Sequence, residues 1–217
     1  MRTLSLPEPD GDALDILCLG AHCDDIEIGC GGTVLRLVED YPDARFHWVV
    51  LASDEARAAE AHAAAAYFLD GAGKADVRVE RFRESYFPWV GAELKDYFEE
   101  LKAEVEPDLI LTHHRHDRHQ DHRLVAELTW NTWRDHLILE YEIPKYDGDL
   151  GSPNVFVALD EDAARRKVDG LMTHFPSQHR RAWFDADMFR GLLRLRGMEA
   201  NAPGRFAEGF YGTKVVL

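Results

Sequence analysis

DILCLGAHCDDIEIGCGGTVLRLVED occupies residues 15–40 and decides the fold of this chain. Its first six residues form a short apolar run that ends in glycine, which is typical of a buried strand. A glycine-rich turn follows, and residues 31–40 place apolar side chains at helical spacing. A strand that leads through a short turn into a helix is the first unit of a parallel α/β sheet.

The alternation of strand and helix continues along the chain. Further strands are predicted over 45–51, 76–82 and 108–112, and helices over 55–69, 92–105 and about 124–136. The remainder is less regular, with short strands predicted near 138–143, 154–158 and 212–216 and helices near 160–173 and 185–196. This pattern predicts a three-layer, Rossmann-like α/β fold, with a mostly parallel sheet and helices on both faces. We expect one domain spanning residues 1–217, because no linker interrupts the pattern.

Composition narrows the classes of partner. The 217 residues include 40 acidic and 25 basic side chains, for a net charge of -15. Nucleic acids and anionic membrane surfaces attract basic proteins, so we expect neither as a partner. No apolar run approaches the ~20 residues of a spanning helix, and residues 1–11 lack the pattern of a secretory signal. The three cysteines lie in one short segment: Cys18, Cys23 and Cys30. This odd number favours a reducing cytoplasm over a disulfide framework.

Histidine and aspartate cluster directly after the first and fourth predicted strands. In open α/β sheets, ligands bind beyond the carboxyl ends of the strands, and these two loops would share that edge. The first loop is AHCDD, in which His22 and Asp25 are three residues apart and can point at one centre. The fourth is HHRHDRHQDH, residues 113–122. Two histidines and one carboxylate with an open coordination position form a catalytic zinc pattern.

Simpler interpretations compete with the metal site. Asp24 and Asp25 also suit the cap of a following helix. The glycines at 29, 31 and 32 could suggest a dinucleotide-binding turn, but their spacing is not GxGxxG and the two preceding acids would repel a phosphate. We expect these glycines to let the helix pack close to the sheet.

The motifs AHCDD-x-E-x-GCGG and H-Q-D-H resemble those of the PIG-L/LmbE-like family of zinc-dependent N-acetyl-sugar deacetylases. Residue by residue, the resemblance implies that Zn²⁺ is held by His22, Asp25 and His122. It further implies Asp24 as general base, His119 as acid or oxyanion stabiliser, Asp121 as the orienting partner of His119, and Arg57 as a substrate contact. An ordinary helix-surface ion pair between Arg57 and Glu60 is the alternative for Arg57.

The resemblance implies a metal-dependent N-deacetylase. Such an enzyme hydrolyses the amide of an N-acetylated sugar, such as N-acetylglucosamine, or of a glycoconjugate, and releases acetate. Its partner would be that small molecule, and the sequence leaves a homo-oligomer open. Two positions depart from the family pattern: Cys23 stands where proline is usual, and Asp117 where a tyrosine is often found. Tyr86, Phe87 and Trp89 follow the third strand and could stack on a sugar or simply pack against neighbouring loops.

Two other functions fit the same residues. Two histidines and a carboxylate also suit Fe²⁺, either as the metal of this hydrolase or in a non-haem Fe(II) oxygenase. Such oxygenases usually have β-barrel folds, whereas this sequence predicts an α/β fold. A non-catalytic metal- or sugar-binding module is the third interpretation, and it predicts binding without release of acetate.

Overall fold

A computed structural model describes Leu6 and residues 13–215 of the chain. Its strands are β1 (Asp15–Gly20), β2 (Arg45–Val50), β3 (Lys74–Val79), β4 (Leu109–His113), β5 (Leu137–Tyr141), β6 (Val155–Leu159) and β7 (Phe206–Gly212). Its α-helices are α1 (Asp25–Asp40), α2 (Glu55–Phe68), α3 (Gly91–Glu104), α4 (Gln120–Thr132), α5 (Glu161–His174) and α6 (Ala186–Glu199). Short 3₁₀ helices cover Phe87–Trp89 and Pro176–Gln178.

The seven strands form one sheet in the order β3-β2-β1-β4-β5-β7-β6. The pairs β1–β2, β2–β3, β1–β4 and β4–β5 are parallel, whereas β7 runs antiparallel to both β5 and β6. The predicted mostly parallel α/β sheet is therefore confirmed. Because β1 and β4 are neighbours and both run in the same direction, the loops that follow them meet at one edge.

Helices cover both faces of the sheet, as predicted. Along β1, Ile16 and Cys18 join the larger apolar cluster, which includes residues of α1, α2, α5 and α6. Leu17 and Leu19 point the other way, into a cluster with residues of α3 and α4. This alternation follows from the two-residue period of a strand. Both faces of β1 are buried, which explains its continuous apolar sequence.

Helix α1 begins at Asp25, six residues before the helix that the sequence predicts. The glycines in its first turns have low helix propensity, so the sequence pattern does not indicate a helix there. The helix is bent at Cys30, where φ is -143°. A Cβ on Gly29 would collide with the ring of Tyr141, and one on Gly31 would lie 2.8 Å from Phe68. The expectation that these glycines permit close packing is confirmed.

The chain's last strand was predicted too late. β7 spans Phe206–Gly212, and only its last residue falls within the predicted 212–216, of which residue 216 lies outside the described residues. Phe206 and Phe210, which belong to β7, are buried. The position of the strand is therefore determined by the burial of these aromatic rings and not by the β-branched residues near the end of the sequence. The prediction about residues 1–11 also falls outside the described part, apart from Leu6. Between residues 13 and 215, no helix combines the length and apolarity needed to cross a membrane.

Candidate active site

The two His/Asp clusters meet at the edge where β1 and β4 end. His22 lies in the turn between β1 and α1, and Asp25 is the first residue of α1. His122 lies in the first turn of α4, which follows β4. All three side chains are buried. The structure thus brings together the three residues predicted to hold a metal.

The donor atoms of these residues form a compact triangle. His22 Nδ1 is 3.1 Å from His122 Nε2 and 3.2 Å from Asp25 Oδ2, and His122 Nε2 is 3.5 Å from Asp25 Oδ2. Tetrahedral zinc with bonds of about 2.0–2.1 Å places its ligand atoms about 3.3 Å apart. The triangle therefore has the size that a zinc ion requires.

Hydrogen bonds to the outer nitrogens fix the orientation of both histidines. His22 Nε2 donates to Asp121 Oδ2 at 3.2 Å, and His122 Nδ1 donates to Asp117 Oδ2 at 2.9 Å. A carboxylate can only accept, so these partners assign a proton to each outer nitrogen. When neither ring carries a further proton, the inner nitrogens, His22 Nδ1 and His122 Nε2, direct their lone pairs at the centre of the triangle.

The charge balance at the triangle calls for a proton or a cation. Burial lowers the pKa of His122 to about 3, so this ring is neutral. Burial also opposes the charging of His22, but Asp25 and Asp121 outweigh it and raise the pKa of His22 to about 10. Without a cation, His22 therefore holds a second proton that faces Asp25. A divalent cation bound at the centre would replace that proton.

Asp117 orients one of the three predicted metal ligands, a role that the sequence analysis does not assign to it. Its carboxylate accepts from His122 Nδ1, lies 2.9 Å from Lys145 Nζ, and accepts the backbone N–H of His119 at 2.7 Å. Burial raises the pKa of Asp117, but His122 and Lys145 outweigh this and lower it below its usual range. The position is occupied by an ionised carboxylate that orients a ligand, where the family pattern suggested a tyrosine. Its place five residues before His122 was the available signal.

The carboxylate of Asp121 contacts a different histidine from the one predicted. It accepts from His22 Nε2 and from the backbone N–H groups of Ser85 (2.6 Å) and Phe87 (3.2 Å). The contact with His119 runs instead from the Asp121 backbone N–H to His119 Nδ1, at 3.3 Å. Asp121 therefore contacts His119 as predicted, but through its backbone N–H, while its carboxylate orients His22.

His119 caps α4 and faces the metal triangle. Its ring lies 4.9 Å from that of His22 and 4.5 Å from that of His122, measured between centroids. Because Nδ1 accepts the Asp121 N–H, Nε2 carries the hydrogen and can donate. Burial and the nearby His22 lower the pKa of His119, which favours this neutral form.

Asp24 sits beside the triangle but does not cap α1. It occupies the N-cap position without a side-chain capping bond, and its Oδ1 instead accepts from Arg57 Nη2 at 2.8 Å. Burial raises the pKa of Asp24, and Arg57 opposes this. Arg57 Nη1 also donates to Glu84 at 3.3 Å, whereas Glu60 bonds to Ser177. The alternative interpretation of Arg57, a helix-surface ion pair with Glu60, is therefore wrong, because Arg57 pairs with Asp24 beside the triangle.

His113, the last residue of β4, also belongs to the site. Its Nε2 lies 3.2 Å from Asp25 Oδ2 and accepts the Ala21 N–H at 2.9 Å. The ring stacks on His122 with centroids 4.0 Å apart. His113 thus packs against His122 and lies next to Asp25, and its position at a strand end was the signal that the sequence offered.

Two further residues of the first motif are buried close to the triangle. The Cys23 thiol contacts the carbonyl of Ala52 at 3.4 Å, and burial raises the pKa of this thiol to about 12. It is therefore protonated and turned away from the metal ligands. Both carboxylate oxygens of Glu27 are buried without a hydrogen-bond partner among the described residues, and burial raises the pKa of Glu27 well above its usual range.

Fold and site together define a class: an α/β protein with a buried His/Asp centre, suited to a divalent metal, at the carboxyl edge of its sheet. A match to the family described as PIG-L, GlcNAc-PI de-N-acetylase, covers residues 17–133, which is more than half of the chain. The chain belongs to the PIG-L family. The matched segment contains every residue assigned above to the triangle and its neighbours except Lys145 and Ser177.

Solved structures share the fold over nearly the whole chain. The conserved protein TT1542 from Thermus thermophilus is 19% identical with a TM-score of 0.75, over 94% of this chain and 96% of that one. The N,N′-diacetylchitobiose deacetylase from Pyrococcus horikoshii is 20% identical with a TM-score of 0.67, over 96% and 87%. The 4-carboxy-2-hydroxymuconate hydratase GalB from Pseudomonas putida KT2440 is 16% identical with a TM-score of 0.69, over 94% and 98%. No curated protein matches the sequence.

Proposed function

We propose that this protein is a zinc-dependent hydrolase that removes the N-acetyl group from an amino sugar or glycoconjugate and releases acetate. The observation that carries the proposal is the triangle of donor atoms, 3.1 to 3.5 Å on a side, with Asp24 beside it. Membership of the PIG-L family supports the same reaction class. The P. horikoshii structure with this fold is a sugar deacetylase, which agrees with a sugar substrate.

His22, Asp25 and His122 would hold the ion, and the set of two imidazoles and one carboxylate fits Zn²⁺ while also suiting Fe²⁺. When bound, such an ion supplies a water that ionises near neutral pH and polarises the amide carbonyl. The outer partners Asp117 and Asp121 keep the two ligand rings in place, as metal-binding histidines require.

Asp24 is the proposed general base. Arg57 holds its Oδ1, which leaves Oδ2 to accept the proton of the attacking water. Its burial keeps the carboxylate poorly solvated, which strengthens it as a base. The proton can then pass to the departing amine, so that amine and acetate leave.

His119 is the proposed oxyanion stabiliser. Its Nδ1 accepts a backbone N–H, so its Nε2–H is free to donate at the triangle that the ring faces. A fixed donor of this kind stabilises the negative charge that develops on the amide oxygen in the transition state. Arg57 bonds to both Asp24 and Glu84, so the proposed substrate contact lies next to the proposed base.

Asp24→Asn tests the proposal, with Asp40→Asn as a control on the exposed end of the same helix. We expect Asp24→Asn to keep one zinc per chain and to lower acetate release from N-acetylglucosamine or N,N′-diacetylchitobiose by about 10²–10⁴-fold. The control should match the wild type in both measurements.

Full turnover with bound zinc in Asp24→Asn would contradict the assignment of the base. A hydratase also has this fold, so the fold alone does not define the reaction. Acetate and free amine are therefore both measured, because amide hydrolysis releases the two products together. Zinc binding without release of either product from any sugar would favour a binding module. Oxygen consumption would instead favour the iron oxygenase.

We further propose one domain in a reducing, cytoplasmic setting. The three cysteines are free and buried, which fits that setting. To test this, the protein is expressed in a reducing cytosol, where we expect it to be soluble and to bind zinc. Formation of a disulfide by any two of them in the native protein would count against it.

A further inference from the structure

Two aromatic rings stand exposed on the loop between β3 and α3. The exposed fractions are 42% for Tyr86 and 70% for Trp89, and the ring centroids are 5.8 Å apart. We call this pair the aromatic platform. Contiguous exposed apolar surface often marks a ligand or partner contact, and two neighbouring exposed rings form such a surface.

The backbone between the two rings is fixed to the proposed active site. Phe87, which lies between them in sequence, is fully buried, and its ring centroid is 6.1 Å from that of His22. The N–H groups of Ser85 and Phe87 both donate to Asp121, which holds His22. The platform therefore keeps a constant position relative to the metal triangle.

Charged groups lie beside the Tyr86 end of the platform. The guanidinium of Arg83 lies 3.6 Å from the centroid of Tyr86 and covers one face of that ring. Glu84, with a side chain 47% exposed, follows it and pairs with Arg57. A purely apolar ligand would remove water from these charges without replacing their hydrogen bonds, which costs free energy. A ligand with an apolar face and hydroxyl edges avoids this cost.

A pyranose ring has these properties, because its C–H face can lie on the electron-rich face of an aromatic ring while its hydroxyls meet charged neighbours. We propose that the platform is a second sugar subsite, which binds a pyranose joined to the N-acetylated sugar at the metal centre. This inference rests on the proposed function and extends it: the preferred substrate contains at least two sugar rings.

Substrate preference tests this subsite. The ratio of kcat/KM for N,N′-diacetylchitobiose to kcat/KM for N-acetylglucosamine is measured in the wild type, Trp89→Ala and Trp89→Phe. We expect Trp89→Ala to lower the ratio about tenfold, mainly through KM, and Trp89→Phe to lower it less. Met198→Ala, an exposed apolar residue on α6, serves as the control and should keep the wild-type ratio.

An unchanged ratio in Trp89→Ala, or an equal loss for both substrates, would overturn the inference while leaving the deacetylase proposal intact. A p-nitrophenyl N-acetylglucosaminide that gains as much from Trp89 as the disaccharide would assign the platform to an apolar group and overturn it too. If no sugar is deacetylated, the proposed function fails. The subsite is then judged by calorimetric titration with N,N′-diacetylchitobiose: affinity lost in Trp89→Ala supports it, and affinity unchanged from the wild type, or no binding by the wild type, overturns it.

Discussion

Helix α1 contributes residues to two buried polar clusters: the triangle at its start and a second cluster near its kink. The two differ in whether their donors and acceptors find hydrogen-bond partners within the cluster. The kink cluster comprises Thr33, Lys167 and Glu208: the Glu208 carboxylate accepts from Lys167 Nζ (2.5 Å) and from the backbone N–H of Thr33 (2.6 Å). The Thr33 hydroxyl donates to the same carboxylate at 2.5 Å, and Lys167 also donates to the Ile28 carbonyl at 2.6 Å. Each of these donors therefore meets an acceptor.

The metal triangle at the start of the same helix is built differently. Its two inner nitrogens and one carboxylate oxygen face one another within 3.5 Å, and a proton or cation must stand between them. The comparison teaches that buried charge alone does not indicate function. A cluster that completes itself stabilises the fold, whereas one that needs a further positive charge indicates a binding site.

The most complete loss is expected from breaking the triangle, because zinc binding should disappear altogether. His122→Ala removes one of three donors and should abolish zinc binding, measured by metal content and calorimetry. In the wild type, zinc at 100 times its Kd should raise the unfolding free energy by about 2.7 kcal/mol, and this gain should vanish in the variant. His62→Ala, an exposed histidine of α2, is the control. Undiminished zinc binding by His122→Ala would place the metal elsewhere.

Breaking the kink cluster should have the opposite profile. Lys167→Met leaves the buried Glu208 carboxylate unpaired and should lower the unfolding free energy by about 3–5 kcal/mol in denaturant melts. Zinc should still bind with one ion per folded chain. Adding Glu208→Gln should recover part of the loss, because the uncompensated charge is then gone. A variant as stable as the wild type would show that the pair is not needed for the fold.

A third buried carboxylate extends the comparison to pH. Burial raises the pKa of Glu140, but hydrogen bonds from His114 and Arg115 outweigh this and lower it from 4.5 to about 2. Because the folded-state pKa is the lower one, the stabilisation is present above pH 4.5 and is lost as the pH falls toward 2.

The difference in unfolding free energy between the wild type and Glu140→Gln should therefore shrink by about 3 kcal/mol from pH 6 to pH 2. Equilibrium unfolding at a series of pH values measures it. A difference that stays constant with pH would mean that Glu140 is not ionised in the folded protein.

The smallest expected effect lies just outside the triangle. Asp117→Asn weakens the bond that orients His122 and should lower zinc affinity about 10–100-fold, measured by competition with a chromophoric chelator. Asp149→Asn is the matched control, because Asp149 also pairs with Lys145, at 2.7 Å, and the triangle lies beyond its contacts. Equal losses in the two variants would assign the effect to Lys145 and its loop.

The sequence was sufficient for the sheet and for the convergence of the three donors. The two neighbouring strands β1 and β4 each have a short apolar run, and the donors follow their ends, so the strand order brings His22, Asp25 and His122 together. The start of α1 was missed because helix propensity disfavours glycine, while tertiary packing against Tyr141 requires it. The partners of Asp121 could not be predicted, because they are backbone groups of a distant loop. The contact of Asp117 with Lys145 likewise depends on how the loop after β5 folds.

One backbone angle in that distant loop has a consequence for how the protein can evolve. Ser85 has a φ of 66°, a left-handed conformation that costs about 1–3 kcal/mol in a residue with a side chain. The Asp121 carboxylate stabilises this conformation by accepting the Ser85 N–H. A gene copy that lost Asp121 would therefore release the His22 ring and the Ser85 backbone in a single step. Under the functions proposed above, one substitution at this position would affect both the metal centre and the aromatic platform.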